Sequence, residues 1–410
     1  MAEAAVYDPF DEFNRAQAGM GRVRDPYPKY AELRRQAPVH KLALRELLGT
    51  TLVAPGMPDY IYSVVTHDAV ARVLLDGETF SSSGYGRSMG LVMGRTILEM
   101  DEPEHSRYRG LIQKAFSKRA LDRWEHELVR PVVHGLVDRF AARGHADLVR
   151  ELTFPFPVTV IAGMIGLDEE DHADFHRWAV ELISIAIDPM RGMQASGKLR
   201  ELFARVLAER RRAPREDLMS VLAGAELEGV RLDDEAIFAF LRLLAPAGAE
   251  TTYRSSSNLL FGLLTHPAQL AALRSERGLM SQAIEEGLRW ECPLTGIMRT
   301  ATRDVEIGGI PIPAGSVVSV NLGAANRDET RYENPDAFDI LRPQRPHMAF
   351  AFGAHRCLGM HLARMETAVA LNALLDRLPE LRLDPAAEDV HVTGLTFRSP
   401  LALPVVFQPV

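Results

Sequence analysis

Cysteine is scarce in this chain of 410 residues, where only Cys292 and Cys357 carry a thiol. Two thiols are too few for a structural zinc site made of cysteines alone. A structural disulfide is not expected either, because nothing at the N-terminus marks the chain for an oxidising compartment. For each thiol the question is therefore whether it serves packing or chemistry.

Long apolar runs and an excess of basic residues are also missing. The segment from Met1 to Met20 contains acidic residues and no apolar stretch, which argues against a signal peptide and a membrane anchor. We expect a cytoplasmic protein that does not bind a membrane. The formal net charge of −8 argues against a nucleic-acid partner, because such proteins normally display a basic surface.

Linkers rich in glycine, serine or proline are absent from the sequence, and so are internal repeats. Length alone favours two or three domains. The composition, 47% hydrophobic and 25% charged, is that of a globular protein with enough apolar residues for a large core. We predict a single domain over residues 1–410, with an irregular N-terminal segment at residues 1–25.

The spacing of apolar residues predicts a mainly α fold with a smaller β component. Helical spacing extends over Tyr27–Gln36, whereas Tyr60–Val65 is rich in β-branched and aromatic residues and predicts a strand. Glycines interrupt Ser81–Gly94, which we predict to be a long, pliable loop. Helical patterns dominate from Asp101 to Trp290.

Within that helical region, Asp168–Ile187 and Leu199–Arg212 are predicted to be two surface helices joined by a short turn. Asp233–Thr265 predicts a very long helix with an acidic first turn, on the order of 50 Å in length at ~1.5 Å per residue. Further on, glycine and proline separate short β-rich runs such as Val317–Val320. Leu358–Leu378 is predicted to be helical, and short strands follow it.

The segment Phe350–Gly359, with the sequence FAFGAHRCLG, is the most informative in the chain. Cys357 immediately precedes a predicted helix, where free N–H groups and the positive end of the helix dipole stabilise a thiolate. The amides of Leu358 and Gly359 are placed to donate hydrogen bonds to that sulfur. A buried structural cysteine is the alternative, and for Cys292 we prefer it.

This segment resembles the haem loop of the cytochrome P450 family, F-G-x-G-x-H-x-C-x-G. Ala351 replaces the first glycine, which is tolerable if its backbone angle is ordinary. Gly353 would permit close approach of the backbone to a flat ligand. The resemblance implies that Cys357 is the axial ligand of the haem iron, whose thiolate favours O–O cleavage. The positions that match in register are Phe350, Gly353, His355, Cys357 and Gly359.

Glu286 and Arg289 lie three residues apart on a predicted helix and can therefore pair. An ordinary surface ion pair is the alternative and would add little stability. The P450 family has E-x-x-R at this distance before its cysteine, joined by an arginine from the intervening segment, and Arg342 fits that place. The resemblance implies a structural role for these three residues, which anchor the loop that presents Cys357.

The segment AGAETT, residues 247–252, lies in the middle of the very long predicted helix. Pro246 cannot donate a hydrogen bond to the Arg242 carbonyl, so we expect the helix to kink or open there. The freed carbonyl, an acid and an alcohol would then meet at one opened turn. The usual alternative for Glu and Thr inside a helix is a solvated side chain or a hydrogen bond to the preceding turn.

The same segment resembles A-G-x-[DE]-T-[TS], which in the P450 family lies over the distal face of the haem. The resemblance implies that Ala247 and Gly248 contact the cofactor. It implies catalytic roles for two further residues. Thr251 would hydrogen-bond dioxygen at the haem, and Glu250 would assist proton delivery.

His105 and Arg109 share one face of a predicted helix at i, i+4 spacing and can grip one anionic group. A solvated charged face is the alternative. The P450 family has an H-x-x-x-R helix that binds the haem propionates, and these two residues match it. By the same resemblance, Arg299 and His355 supply the remaining propionate contacts.

The four motifs occur in the order of the family. The resemblance implies the triangular, mostly helical P450 fold, with a long central helix over the haem. It implies haem b without a covalent tether, since the sequence has no C-x-x-C-H motif. It further implies a monooxygenase that uses two electrons and two protons to insert one atom of dioxygen into a substrate and release the other as water.

The sequence has no flavin domain, so we expect electrons from an external ferredoxin and ferredoxin reductase. The protein is expected to be a monomer. Two alternatives stay open: a peroxide-driven haem-thiolate enzyme, against which the Glu250–Thr251 pair argues, and a non-enzymatic haem or ligand-binding sensor. Five basic residues could form a docking patch for an acidic ferredoxin, and scattered surface charge is the alternative. They are Lys114, Lys118, Arg119, Arg356 and Arg364.

Substrate contacts are assigned only by position in the layout of the family. They are mostly apolar, so we expect a hydrophobic small molecule such as a terpenoid, steroid, fatty acid or aromatic compound. The same residues would equally suit a plain core. The assigned positions are Leu91, Val92, Met93, Leu243, Leu244, Leu294, Thr295, Ile297, Leu395, Thr396 and Phe397.

Overall fold

The computed structural model describes residues 10–11, 13–14, 23–43, 59–183 and 188–410. In this part of the chain, no helix has the length and apolarity needed to cross a membrane. The α-helices are α1 (Tyr27–Gln36), α2 (His67–Leu75), α3 (Gly90–Met93), α4 (Glu104–Gln113), α5 (Lys118–Trp124), α6 (Arg130–Asp138), α7 (Pro155–Ile165), α8 (Glu169–Ile183), α9 (Pro189–Arg212), α10 (Leu218–Ala223), α11 (Asp234–Thr265), α12 (Pro267–Ser275), α13 (Met280–Trp290), α14 (Leu322–Ala325) and α15 (Met360–Arg377).

The strands are short, as the sequence predicts. They are β1 (Val39–Ala43), β2 (Tyr60–Val64), β3 (Phe80–Ser81), β4 (His145–Asp147), β5 (Glu226–Leu227), β6 (Val230–Arg231), β7 (Gly296–Ala301), β8 (Val305–Ile307), β9 (Ile310–Ile312), β10 (Val317–Asn321), β11 (Arg382–Leu383), β12 (Val392–Thr393), β13 (Ser399–Pro400) and β14 (Pro404–Val406). The predicted elements in these regions are present, mostly with ends shifted by one or two residues.

The long helix α11 begins where the sequence predicts because Asp233 caps it. The Asp233 carboxylate accepts a hydrogen bond from the Ala236 N–H at 2.7 Å. At ~1.5 Å per residue, its 32 residues span on the order of 50 Å. Pro246 lies inside α11, yet the helical residues continue without interruption to Thr265. The helix therefore does not break at Pro246, because the missing proline N–H removes one donor without ending the helix, and the kink or local opening there stays a prediction.

Helix α9 requires a larger correction. The sequence predicts this helix from Leu199, whereas it begins already at Pro189. The Asp188 carboxylate accepts a hydrogen bond from the Arg191 N–H at 3.1 Å, and the proline occupies the first turn. The first turns of α9 lack a regular apolar spacing, so periodicity alone does not reveal them. Residues 184–187 of the preceding predicted helix lie outside the described residues.

The predicted loop Ser81–Gly94 contains more regular structure than expected. It begins in β3, continues through a 3₁₀ turn at Ser83–Arg87, and ends with the short helix α3. The Tyr85 hydroxyl accepts a hydrogen bond from the Met298 N–H at 2.9 Å and so fastens this segment to β7.

The largest sheet has the strand order β1-β2-β10-β7-β3. Strand β10 runs parallel to β2 and antiparallel to β7, so that Val318 lies opposite both Tyr62 and Arg299. Strand β3 pairs with the other edge of β7, with Phe80 opposite Ala301. This sheet fixes the position of Arg299 relative to the rest of the fold.

Two apolar clusters fill the helical part of the protein, and α11 contributes to both. Its first half, represented by Ile237 and Leu241, packs with Phe175 of α8 and Phe203 of α9. Its second half, represented by Leu263, packs with α6 and α15. A third cluster packs around the largest sheet. The middle of α11 lies where the first two clusters meet.

Candidate active site

The loop around Cys357 folds onto itself before α15 begins. The Cys357 N–H donates to the Phe350 carbonyl at 2.9 Å, and the Arg356 N–H donates to the Gly353 carbonyl at 3.1 Å. Gly353 has a φ of +74°, and a Cβ there would lie 2.4 Å from the carbonyl oxygen of Leu74 in α2. The glycine is therefore required by the backbone of the protein itself, whereas the sequence suggests close approach of a flat ligand.

Ala351 has a backbone conformation that favours glycine, whereas Gly359 has one that other residues adopt readily. Ala351 has a φ of +54°, so the condition of an ordinary backbone angle is not met, and the left-handed conformation costs an alanine about 1 kcal/mol. Its buried methyl group, which joins the cluster around the sheet, offsets about 0.8 kcal/mol. Gly359 has a φ of −84°, and nothing lies within 4 Å of an added Cβ. The fold alone would therefore accept an alanine at Gly359.

Cys357 is exposed as a residue, but its thiol is closely surrounded by protein atoms, and several groups act on it. Loss of surrounding water raises the pKa of the thiol, while the Gly359 N–H and the positive charges of Arg109, Arg364 and Arg356 lower it. The net shift of the pKa is upward. A bound metal ion lowers the pKa of a cysteine ligand strongly, and deprotonation accompanies binding.

His105 and Arg109 of α4, Arg299 of β7 and His355 of the cysteine loop come together. The centroids of the His105 and His355 rings lie 4.0 Å apart. Arg109 donates from Nη2 to the Arg356 carbonyl at 2.6 Å. Burial and the positive charges of the other three side chains lower the pKa of His355 to about 3. The four residues predicted from separate motifs therefore lie in one place.

Two of these four side chains lack the partners that burial normally demands. Arg299 is 5% exposed and donates to the Met298 carbonyl at 2.8 Å, and no described carboxylate forms an ion pair with it. His105 is 1% exposed, and its Nε2 has no hydrogen-bond partner among the described residues. Unpaired buried donors and charges cost free energy, so the arrangement suits a bound group that carries carboxylates, as haem does.

Tyr85 belongs to this cluster, although the sequence does not single it out. Burial raises the pKa of its hydroxyl, whereas hydrogen bonds from the Met298 N–H and from Arg299, and the charge of Arg299, lower it. Tyr85 therefore supports the buried guanidinium from the side of the glycine-rich segment. Nothing in the sequence around Tyr85 predicts this contact.

The Glu286–Arg289 pair is buried and is not the surface ion pair that was the alternative. Arg289 donates from Nε and Nη2 to the two carboxylate oxygens of Glu286, at 2.7 and 2.8 Å. Arg342 donates from Nε to Glu286 at 3.3 Å, and the Asp339 N–H donates to it at 2.9 Å. Both arginines also donate to the Ala337 carbonyl. The three predicted residues therefore meet and tie α13 to the segment that leads to the cysteine loop.

Glu285 forms a second anchor that the sequence does not reveal. Arg364 of α15 donates to its two carboxylate oxygens at 2.6 and 2.7 Å, and His347 Nε2 lies 3.2 Å away. Burial alone would raise the pKa of Glu285, but hydrogen bonds from Arg364 and His347 and their charges lower it to about 2. The Arg364 guanidinium also lies 4.5 Å from the centre of the Phe350 ring. Phe350 is thus held from α15, which in turn is held to α13.

The middle of α11 has one accessible stripe, formed by Leu243, Ala247 and Thr251. Ala247 is exposed and the other two are half-buried, whereas most of the helix is buried. Thr251 donates from Oγ1 to the Ala247 carbonyl at 2.7 Å, as in the alternative considered for a threonine inside a helix. Gly248 instead faces α7, because a Cβ there would lie 2.8 Å from Ile161 Cδ1. Helix packing is thus sufficient reason for the glycine.

Glu250 lies on a different face of α11 from the accessible stripe. Arg254 donates from Nε and Nη2 to Glu250 Oε1 at 3.2 and 3.0 Å, and both side chains are buried. Arg254 also donates from Nη1 to Ser399 Oγ at 2.9 Å. Burial raises the pKa of Glu250, and Arg254 only partly opposes that rise. The acid and the Thr251 alcohol therefore do not meet at one opened turn as predicted.

Glu366 on α15 is a second buried acid beside α11, and the sequence does not single it out. It is 2% exposed, and Thr252 is its hydrogen-bond partner. Burial raises the pKa of Glu366 to about 8, although the hydrogen bond with Thr252 lowers it. This carboxyl group is therefore mainly uncharged at neutral pH.

The predicted substrate contacts at 294–297 and at 395–397 lie side by side. Leu294 forms an isolated antiparallel bridge with Phe397. The Thr295 N–H donates to the Thr396 carbonyl at 2.8 Å, and its hydroxyl donates to the Leu395 carbonyl at 2.6 Å. These bonds occupy the polar atoms of Thr295 and leave apolar side chains as the contact surface. Ile297 is half-buried in β7.

The remaining predicted substrate contacts separate into two groups. Val92 and Met93 of α3 are buried in the same cluster that Leu243 and Leu244 border. Leu91 is 78% exposed and does not join that cluster. The structure therefore brings four of these five residues together and directs Leu91 to solvent.

The proposed basic docking patch has less free charge than the sequence suggests. Arg364 is paired with Glu285, and the exposed Arg119 lies 3.8 Å from a Glu216 oxygen. Lys114 donates from Nζ to a backbone carbonyl at 2.8 Å. No ion pair is found among the described residues for Lys114, Lys118 and Arg356.

Comparison with known proteins identifies the class. The sequence profile named Cytochrome P450 matches residues 31–389. The chain therefore belongs to the cytochrome P450 family, whose members have a haem-thiolate cofactor. It is an oxidoreductase that incorporates oxygen into its substrate.

Individual proteins match over most of the chain. Cytochrome P450 monooxygenase PikC of Streptomyces venezuelae is 35% identical over 401 residues, which are 94% of this chain and 92% of PikC. Cytochrome P450 CYP109Q5 from Chondromyces apiculatus has a TM-score of 0.85 at 36% identity, covering 94% of this chain and 96% of that structure. CYP109E1 from Bacillus megaterium, solved in complex with testosterone, has a TM-score of 0.84 at 32% identity, covering 94% and 99%. The predicted P450 fold is confirmed.

Proposed function

We propose that this chain is a monooxygenase that binds haem b and inserts one atom of dioxygen into a hydrophobic small molecule. The observation that supports this proposal best is the group of His105, Arg109, Arg299 and His355 beside the Cys357 loop. Two of these side chains are buried without adequate partners. Carboxylates of a bound haem would satisfy them and leave the thiol beside its iron.

Five residues would hold the cofactor. Cys357 would ligate the iron, and the two arginines and two histidines of the cluster would bind the carboxylates. When bound, a thiolate-ligated haem supplies the activation of dioxygen. Phe350 and Gly353 would act indirectly by fixing the loop, and Gly359 by leaving space beside the cysteine. The buried E-x-x-R group formed by Glu286, Arg289 and Arg342 would hold the same loop from α13.

The catalytic residues proposed are Thr251 and Glu250. Thr251 places a hydroxyl group on the accessible stripe of α11, where its lone pairs can accept a hydrogen bond while its proton is directed to Ala247. Glu250 holds a buried carboxyl group on the other side of the helix and would supply protons. Ala247 would complete the surface of the helix toward the cofactor, whereas Gly248, expected from the resemblance to contact it, would act only through its packing against α7.

The substrate proposed is a hydrophobic small molecule that contacts Leu243, Leu244 and Ala247 of α11. Further contacts are proposed from the paired segments at 294–297 and 395–397, and from Val92 and Met93. Most of these side chains are apolar, and apolar pockets bind ligands mainly by burying their apolar surface. The complex of CYP109E1 with testosterone supports a ligand of this kind.

The proposed electron donors are a ferredoxin and its ferredoxin reductase. Lys114, Lys118 and Arg356 would attract an acidic ferredoxin to the face that bears Cys357. We also propose that residues 1–410 form a single domain, and that the protein is a cytoplasmic monomer. Because only a few unpaired charges remain, the effect of salt on the reduction rate should be modest.

The first test is the absorption spectrum of the dithionite-reduced protein with carbon monoxide. A Soret band at the red-shifted position of thiolate-ligated haem is expected, and Cys357→Ser should lose it. A band at the position of imidazole-ligated haem in the wild type would contradict the ligand assignment. Absence of haem would contradict the whole proposal.

The second test is Thr251→Ala, with Thr265→Ala as a matched control. Thr265 lies on the same helix and donates in the same way to the carbonyl one turn earlier, at 2.7 Å from Phe261. Thr251→Ala should retain haem but divert electrons from product to hydrogen peroxide, whereas the control should not. Unchanged coupling in Thr251→Ala would refute its role, and full turnover with peroxide alone would favour the peroxide-driven alternative.

A further inference from the structure

Seven arginines in the described part of the chain are buried. They are Arg210, Arg242, Arg254, Arg289, Arg299, Arg327 and Arg398. Five of them have a carboxylate oxygen no more than 3.2 Å away, as burial of a charge normally requires. Arg299 and Arg242 are the two exceptions. The carboxylates of a bound haem would satisfy Arg299, so Arg242 is the buried guanidinium that still lacks a close acidic partner among the described residues.

Arg242 is 8% exposed, and the N–H groups of its guanidinium meet few acceptors. Nε donates to the Phe238 carbonyl at 3.3 Å, and Nη1 donates to Ser196 Oγ at 3.0 Å. Nη2 donates a hydrogen bond to no described residue, and the nearest carboxylate oxygen, of Glu235, lies 4.0 Å from it. Glu235 is exposed and accepts instead from Arg200 Nε at 2.9 Å. Burial lowers the pKa of the Arg242 guanidinium more than Glu235 raises it.

The guanidinium of Arg242 lies beside residues that are proposed to contact the substrate. Gly94, at the end of α3, has a φ of +80°, and a Cβ there would lie 3.0 Å from Arg242 Nη2. Ser196 Oγ, which accepts from Arg242, donates to the Val92 carbonyl of α3. Leu243, the next residue of α11, begins the accessible stripe. The positive charge is therefore placed where α3 and the accessible stripe of α11 come together.

We propose that Arg242 binds a carboxylate group of the substrate and thereby makes the protein specific for hydrophobic carboxylic acids. The inference rests on the proposed function and names its substrate class. Nη2 would donate charge-assisted hydrogen bonds to the carboxylate, and the apolar remainder would lie along Leu243 and Ala247. From Arg242 to Thr251, α11 rises roughly 14 Å at ~1.5 Å per residue. Oxygen would therefore enter at carbon atoms distant from the acid group.

Arg242 also joins α11 to α9 through Ser196, and a purely structural role would affect the binding of every substrate equally. The test therefore compares two ligands of the same length with the haem-loaded protein. Dodecanoate carries a carboxylate and 1-dodecanol a neutral hydroxyl group, and both chains are long enough to extend from Arg242 toward Thr251. The spin-state shift of the haem spectrum during titration measures the Kd of each ligand and requires no turnover.

The wild type should bind dodecanoate more tightly than 1-dodecanol. Arg242→Met keeps the apolar length of the side chain but not its charge, and should reduce this preference roughly tenfold or more while the Kd of 1-dodecanol changes little. Arg242→Lys should retain part of the preference, because it keeps the charge. Arg95→Met is the matched control, since it removes an exposed arginine next to Gly94 that is paired with Glu104, and it should leave the preference unchanged.

A crystal structure of the haem-loaded wild type with dodecanoate gives a second readout. The carboxylate is expected within hydrogen-bond distance of Arg242 Nη2, and a carboxylate bound elsewhere would overturn the proposal. This measurement decides the question even if Arg242→Met fails to fold or to bind haem.

Three results of the titrations would also overturn the carboxylate site while leaving the monooxygenase proposal intact. They are equal affinity of the wild type for the two ligands, no spectral shift of the wild type with dodecanoate, and an equal loss of both affinities in Arg242→Met. Failure of the proposed function has a different signature, because the reduced protein with carbon monoxide would then lack the band of a thiolate-ligated haem.

Discussion

Replacing Gly353 by alanine, with Gly359→Ala as the matched control, separates two reasons for glycine in one loop. At Gly353 the φ of +74° and the 2.4 Å separation between an added Cβ and the Leu74 carbonyl oxygen both oppose a side chain. The left-handed conformation costs an alanine about 1–2 kcal/mol, and the shift of the backbone needed to relieve the clash adds to this cost. We therefore expect Gly353→Ala to lower the free energy of unfolding by about 3 kcal/mol. At Gly359 neither obstacle exists.

The entropy of unfolding relates a loss in the free energy of unfolding to a drop in the melting temperature. With about 2.1 cal/mol/K per residue, a chain of 410 residues should lose roughly 3–4 °C for 3 kcal/mol. Far-ultraviolet circular dichroism during heating measures this directly. Gly353→Ala should show that loss or more, whereas Gly359→Ala should remain within about 1 °C of wild type. A Gly353→Ala protein that melts with the wild type would refute the reasoning from backbone geometry.

Two further predictions concern buried carboxyl groups. Because burial raises the folded pKa of Glu366 to about 8 from an ordinary value of 4.5, the folded state binds its proton more tightly and stability should fall as pH rises between these values, by up to about 1.4 kcal/mol per pH unit. Glu366→Gln should remove this pH dependence of stability, which urea unfolding at pH 6 and 8 measures. The same pH dependence in the variant and the wild type would contradict the raised pKa of Glu366. Arg289→Lys cannot reproduce the two-pronged pairing with Glu286, so the free energy of unfolding should drop by about 3 kcal/mol, and a drop below about 1 kcal/mol would show that the pair is not needed.

Features that depend on local spacing could be predicted from the sequence. Helix α1 and the start of α11 at Asp233 follow from periodicity and capping, and the pairing of Glu286 with Arg289 follows from their three-residue separation. The cluster of His105 and His355 could be predicted only by resemblance to the family, because the two residues lie on distant segments. Each of these features could be predicted because it depends on the types of residue at given positions in the sequence.

Other features depend on contacts between elements that no local pattern encodes. Glu285 with Arg364 and Glu366 with Thr252 join helices far apart in the sequence, and each residue alone resembles an ordinary helical position. Gly248 matches a motif, yet the contact with Ile161 is what the fold requires of it. Sequence spacing places residues on a helix face, but only packing decides what that face meets.

The accessible stripe of α11 has a consequence for attempts to stabilise this protein. Ala247 is exposed on a helix that is otherwise mostly buried, and Leu243 of the same stripe packs against the cluster that contains Phe175 and Phe203. Larger apolar residues at Ala247 should extend the core and raise the melting temperature, but they would occupy the room proposed for the substrate. Stability and turnover are therefore in direct competition at this stretch, and sequence libraries selected for heat resistance alone should accumulate inactive proteins filled at Ala247.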